Sequence, residues 1–158
     1  MVDVDGPGFS RAVHIDVHEP GENWDVELGA RLVRAVNRGE VAFITFQARA
    51  VRAAGDTGEA YFSVYAQKAS ANWDKSLHEG LAVGADWQAF TLPFSWGAAY
   101  AATQASFVFG VGGFSQAIEI GGIQVIGFGP GVTLDVLPAA QFTYAGRAAC
   151  SADPNGKA

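Results

Sequence analysis

The longest β-like run in the sequence is Val41-Ala42-Phe43-Ile44-Thr45-Phe46-Gln47-Ala48-Arg49-Ala50-Val51. One phase of this run is apolar throughout, whereas the other becomes polar in its second half, at Gln47 and Arg49. A period of two with one apolar face is typical of a strand that covers a core on one side only. The run therefore predicts a half-exposed strand in an all-β protein.

The same alternation recurs on both sides of this run, and helix signals are nearly absent. Turns rich in glycine, proline and asparagine separate further predicted strands, which are Phe9–Val17, Trp24–Gly29, Tyr61–Lys68, Leu81–Val83, Trp87–Phe94, Ser106–Val111, Ala117–Ile120 and Ile123–Phe128. The polar stretch of residues 69–80 is interpreted as a long loop. Many short strands with Gly-rich turns favour a sandwich or barrel. We expect residues 1–130 to form this module and residues 131–158 to form a C-terminal tail or linker, partly packed on it.

Composition excludes several classes of partner. The chain has 158 residues, of which 49% are hydrophobic and 16% charged, and its net charge is -6. An acidic chain repels phosphate backbones, so nucleic acid is not an expected partner. No apolar run reaches the roughly 18 residues of a membrane span, so no membrane partner is expected. The lone cysteine, Cys150, allows no disulfide within the chain.

Four segments resemble, in their order along the chain, the carbohydrate-binding modules of families 4, 9 and 22. They are Trp24-Asp25-Val26-Glu27-Leu28, the run that begins at Gly39-Glu40-Val41, Asp86-Trp87-Gln88-Ala89-Phe90-Thr91-Leu92-Pro93-Phe94, and Phe107–Val111 with Gln116–Ile123. The resemblance implies a jelly-roll β-sandwich of two antiparallel sheets that binds xylan, β-glucan or related chains. The tail resembles the segment that joins such a module to a family 10 xylanase domain. The resemblance to these modules also implies that the ligand lies on the concave sheet.

A sugar-binding face needs aromatic rings for stacking and planar polar groups for hydrogen bonds. We assign this role to the polar phases of the strands, with stacking by Tyr61 and Tyr65 and with Trp73 as a clamp at the rim. The full set of predicted ligand-binding residues is Glu27, Gln47, Arg49, Tyr61, Tyr65, Gln67, Trp73, Trp24, Gln116 and Glu119.

Several of these residues have a structural interpretation as well. Trp24 shares a phase with apolar neighbours, which favours the core, and Trp87 is interpreted as a core residue. Glu27 and Arg49 are equally well explained as a cross-strand ion pair. Gln116 and Glu119 are alternatively residues that order the Gly-rich loop.

Metal binding is left open by the sequence. His14, Asp16 and His18 lie on one strand face, but the outer two are roughly 13 Å apart on a flat strand, too far for one metal ion. No cofactor is required. A structural calcium ion has oxygen ligands available at Asp3, Asp5 and Asp135, although no spacing motif selects them.

The favoured function is non-catalytic binding of xylan or a related β-linked plant polysaccharide. One alternative is a small β-sandwich lyase or glycosidase, in which two of Asp25, Glu27 and Glu119 converge at roughly 5–9.5 Å. The other is a surface protein-interaction domain. We expect an extracellular or periplasmic monomer whose leader is not present in this chain, trimmed from a larger glycoside hydrolase or freestanding.

Overall fold

A computed structural model describes residues 1–129 and 131–134, and in these residues it contains nine strands and no α-helix. The strands are β1 (Val2–Gly6), β2 (Phe9–Val17), β3 (Glu27–Arg31), β4 (Val41–Arg52), β5 (Ala60–Lys68), β6 (Lys75–Val83), β7 (Gln88–Ser95), β8 (Ala105–Gly110) and β9 (Gln116–Gly127). The all-β prediction is confirmed. Except for residues 131–134, the predicted tail lies outside the described residues.

Two antiparallel sheets form the sandwich. Sheet A has the order β1-β2-β9-β4-β7, and sheet B has the order β3-β8-β5-β6. From β2 onward the chain changes sheet at nearly every connection, and only β5 and β6 are consecutive strands of the same sheet. These crossings between two packed sheets are the topology of a jelly roll, as predicted.

The core lies between the inward phases of the two sheets. Phe46 of β4 joins the two halves, because its ring stacks on Phe90 of sheet A and meets Phe109 of sheet B edge-on, each at 5.0 Å between ring centroids. Trp96, just after β7, is 1% exposed and belongs to the same core. This core is continuous through both sheets and fixes which phase of each strand faces outward.

Four strand predictions differ from the structure. Residues 75–80 belong to β6 rather than to a loop, and β9 is one strand rather than two. β1 has no counterpart among the predicted strands, and β3 begins at Glu27 rather than at Trp24. The β9 ladder with β4 shifts register opposite residues 121–124, where Gly122 has a φ of 62°. This irregularity lets one strand continue past a glycine pair that resembles a turn in the sequence.

Candidate functional site

The predicted ligand-binding residues do not share one face. Gln47, Arg49 and Glu119 lie on the outer face of sheet A, because their neighbours along each strand point into the core. The outer face of sheet B carries Glu27, Tyr61, Tyr65 and Gln67. Gln116 is buried between the sheets, and Trp24 and Trp73 stand in loops. The two groups are separated by the thickness of the sandwich, because β4 and β5 belong to different sheets.

The polar residues of sheet A bind one another. Glu119 is 7% exposed and its Oε2 accepts a hydrogen bond from Arg49 Nε at 2.8 Å, while its Oε1 lies 3.2 Å from His14 Nδ1. The Arg49 guanidinium lies 4.7 Å from the ring centroid of Trp87, and Phe9 meets that ring edge-on at 5.0 Å. The ion pair of Arg49 is therefore with Glu119, and the prediction of a Glu27–Arg49 pair is wrong.

Trp87 also differs from its prediction as a core residue. Gln88, the next residue, pairs with Ala48 on the core side, so the indole of Trp87 projects to the outer face, where Arg49 and Phe9 half-bury it. The strand that contains it has the apolar phase Phe90, Leu92 and Phe94, and Trp87 is one residue out of that phase.

Replacing Arg49 with alanine is expected to destabilise the fold by about 1–2 kcal/mol, because it leaves the buried Glu119 carboxylate with His14 alone. Chemical denaturation of Arg49→Ala against the parent chain measures this difference in the free energy of unfolding. A loss of stability under about 0.3 kcal/mol would show that the cluster does not hold sheet A together.

Gln116 acts inside the sandwich. It is 0% exposed, its Oε1 accepts a hydrogen bond from the Tyr61 amide at 2.7 Å, and its Nε2 donates to the carbonyl oxygens of Tyr61 at 2.5 Å and Val111 at 3.0 Å. A side chain in this position has no surface left for a ligand. Its role is to tie β9 to the beginning of β5, which positions Tyr61.

Sheet B carries a furrow that crosses its strands. Glu27, Gly110, Ser63 and Gly80 are successive cross-strand partners and form one row on the outer face. The rows on either side lie about 6.6 Å away along the strands. Ser63 and Gly80 have almost no side chain, and a Cβ added at Gly80 would meet nothing within 4 Å. This part of the row is therefore an open floor.

Tyrosines form the walls of the furrow. One wall is Tyr61, whose ring packs against Phe114 at 5.3 Å, and the other is Tyr65 with His78, whose rings are 4.8 Å apart. Tyr65 is only 6% exposed, although no second layer of strands covers this face. The face is thus recessed, and the Tyr65 ring offers little free area for stacking.

Asn23 closes the end of the furrow nearest β3, at Gly110. Its Nδ2 donates a hydrogen bond to the Tyr65 hydroxyl at 2.9 Å, and a Cβ added at Gly110 would lie 3.0 Å from the Asn23 amide nitrogen. A side chain at this position would crowd both Asn23 and the Tyr65 ring, whose Cε2 atom would lie 3.2 Å from the added Cβ. Beyond Asn23 stands Glu27, where burial raises the pKa of the carboxyl and the Lys75 ammonium partly offsets that rise.

Loops at opposite ends of sheet B carry exposed aromatic rings. Trp24 is 63% exposed in the loop that binds Gly112 near the end of β8, and Trp73 is 52% exposed in the loop between β5 and β6. The core interpretation of Trp24 is wrong, because residues 21–26 form a bonded turn and β3 begins only at Glu27. Both rings are free for stacking at the rim.

Sequence reasoning missed Asn23, His78 and Gly80. The sequence around Asn23 is typical of a turn, and the polar stretch that contains His78 and Gly80 is typical of a loop. The alternation from Lys75 to Val83 was a usable signal for β6, but its apolar phase is weak in a strand that lies at the edge of its sheet.

Among the described residues, no group of three or more histidine, cysteine, aspartate or glutamate side chains is placed to hold an ion. His14 contacts Glu119, whereas His18 lies 3.5 Å from Asp16. Asp135, one of the calcium ligands proposed from the sequence, lies outside the described residues. Residues 1–129 and 131–134 contain no helix with the length and apolar character of a membrane span.

Comparison with known proteins gives matches in structure only. No family model matches the sequence, and no curated protein matches it either. A family 4 carbohydrate-binding module superposes with a TM-score of 0.63 at 15% identity, covering 73% of this chain and 83% of the module.

Two further solved structures are similar. The ligand-free carbohydrate-binding module of PbXyn10C has a TM-score of 0.56 at 16% identity, with 74% of this chain and 67% of that chain covered. The N-terminal cellulose-binding domain of the Cellulomonas fimi β-1,4-glucanase C has a TM-score of 0.57 at 14% identity, with 73% and 78% covered. The predicted resemblance is confirmed in fold: this chain has the β-sandwich fold of carbohydrate-binding modules.

Proposed function

We propose that this chain is a non-catalytic polysaccharide-binding module and that its ligand lies in the furrow of sheet B. The observation that carries the proposal is the open floor at Ser63 and Gly80 between walls that contain Tyr61 and Tyr65. An apolar sugar ring fits between such walls, and its hydroxyls meet the polar groups around them. A site built on strands also needs little reorganisation to bind.

The similar structures support this proposal. They include a family 4 carbohydrate-binding module and a cellulose-binding domain, and they share the fold on which the furrow lies. Xylan or a related β-linked plant polysaccharide is our proposed ligand, on the resemblance of the sequence to modules of xylanases.

The alternative of a glycosidase or lyase requires two acids that converge on one bond, and Glu119 and Glu27 do not meet this requirement. Glu119 lies on the outer face of sheet A and Glu27 on the outer face of sheet B, so the two carboxyl groups cannot converge on one glycosidic bond. Asp25 accepts a hydrogen bond from the Glu22 amide within its own turn, at 2.8 Å. Glu119 and Glu27 therefore do not form the pair of carboxylates that glycoside hydrolysis requires.

Native affinity electrophoresis in gels that contain xylan, mixed-linkage β-glucan, a cellulose derivative or mannan tests the proposal, with a reducing-end assay on each polymer. We expect retardation by xylan without release of reducing ends. Release of reducing ends would contradict the non-catalytic assignment. Normal migration in every gel would contradict polysaccharide binding and favour the protein-interaction alternative.

A further inference from the structure

The positive charges of this acidic chain are distributed unevenly between the two sheets. Among the described residues, four arginines form ion pairs, and none of them belongs to a strand of sheet B; they are Arg11 with Asp3, Arg34 with Glu40, Arg49 with Glu119 and Arg52 with Asp16. The cations on strands of sheet B are Arg31, Lys68 and Lys75, and none of them forms an ion pair within the described part of the chain. Sheet B, which holds the furrow, therefore carries three cations that no ion pair among the described residues neutralises.

Two of these cations belong to one row, which lies just beyond the furrow wall that contains Tyr65. Arg31, Ser106, Gln67 and Lys75 are successive cross-strand partners on the outer face, two rows from the floor at Ser63 and Gly80. Lys75 leans toward the furrow, because its Nζ lies 5.0 Å from the centroid of the Tyr65 ring. A lysine side chain in this place stands above the furrow wall and reaches substituents of a chain lying on the floor.

Within the described part of the chain, no acidic side chain forms an ion pair with this row. Glu27, at the β3 end of the furrow, interacts with the Lys75 ammonium only over a longer distance. Glu79 is exposed, but it pairs with Val64 and so lies on the other phase of β6 from the furrow floor. The Lys75 ammonium and the Arg31 guanidinium are therefore available to bind an external anion. A guanidinium can donate two hydrogen bonds to paired oxygens of a carboxylate or sulfate group.

We propose that the furrow binds an acidic polysaccharide, whose anionic substituents contact Lys75 and Arg31. This inference rests on the proposed function and specifies its ligand class. The substituents are carboxylates of uronic acid units or sulfate esters, which share a single negative charge and can each present two acceptor oxygens to a guanidinium. The sugar backbone lies between the tyrosine walls, and the charged branches extend over the row of Arg31, Gln67 and Lys75.

Affinity electrophoresis of the intact chain separates the outcomes. The gels contain glucuronoxylan, the same glucuronoxylan after chemical reduction of its carboxyl groups, and a sulfated galactan beside its desulfated form. We expect stronger retardation by at least one charged polymer than by its neutral counterpart, and a loss of that difference at about 0.5 M salt, where charge screening is strong. The two pairs of gels show whether carboxylate or sulfate is preferred.

Lys75→Gln is expected to weaken binding to the charged polymer about three- to fivefold and to leave binding to its neutral counterpart unchanged, because Lys75 is exposed and contributes one charge. Arg11→Gln is the matched control, because it removes one positive charge from β2 of sheet A. We expect it to change binding to neither the charged polymer nor its neutral counterpart. Equal retardation by charged and neutral polymers, or equal binding by Lys75→Gln and the parent chain, would overturn this inference alone. Normal migration in all gels would overturn the polysaccharide-binding proposal as well.

Discussion

Gly80→Trp is expected to reduce polysaccharide retention at least tenfold, a loss of about 1.4 kcal/mol or more in binding free energy. The indole would project from the floor of the furrow, where a Cβ at Gly80 meets nothing within 4 Å. It would fill the space between the Tyr61 and Tyr65 walls that we assign to the sugar. Gly80 does not have a positive φ, so the new side chain adds no backbone strain and the variant should fold.

Two controls accompany this variant. Ala89→Trp adds an indole to the outer face of sheet A, at an exposed position opposite Gln47, and is expected to leave retention unchanged. Gly80→Ala adds a single methyl group and is expected to have an intermediate effect. If Gly80→Trp left retention unchanged and Ala89→Trp reduced it, the ligand would bind sheet A, which would contradict our proposal.

Gln116→Leu is expected to destabilise the fold by about 3–5 kcal/mol, although leucine has a similar volume. The substitution leaves the amide and carbonyl of Tyr61 and the carbonyl of Val111 without the partners that Gln116 supplies in the interior. Each unsatisfied buried group costs about 1–3 kcal/mol. In a chain of this size we expect the melting temperature to fall by roughly 10 °C.

Differential scanning calorimetry of Gln116→Leu measures this effect. Gln104→Leu is the matched control, because the Gln104 side chain is exposed and accepts one hydrogen bond from the Ala101 amide within its own loop. We expect that control to change the free energy of unfolding by less than about 0.5 kcal/mol. A Gln116→Leu variant as stable as the control would show that the hydrogen bonds from Gln116 to β5 make no net contribution to the free energy of unfolding.

The local pattern of β4 predicted its strand and its inward phase correctly, but it could not tell which residues on other strands would share its outer face. Alternation depends only on neighbours along the chain. Membership of a sheet depends on pairing between distant segments, and the jelly roll sends β4 and β5 to opposite sheets. For this reason Gln47 and Arg49 were grouped with Tyr61 and Tyr65, although the structure separates them.

The recessed part of sheet B was also beyond local reasoning. The floor at Ser63 and Gly80 arises because two residues with little side chain, from β5 and β6, are paired across the sheet. Asn23 reaches the β3 end of the furrow because the loop before β3 folds over Gly110. Small and turn-forming residues have no functional signature of their own, so these positions became recognisable only when the register was known.

The most direct test of the central claim is a ¹⁵N NMR titration of the chain with soluble oligosaccharides of the polymer that retards it. We expect the largest amide shifts at Ser63, Tyr65 and Gly80 and small shifts around Arg49 and Glu119. Shifts concentrated around Arg49 and Glu119, with sheet B unaffected, would contradict the assignment of the furrow as the sugar-binding site.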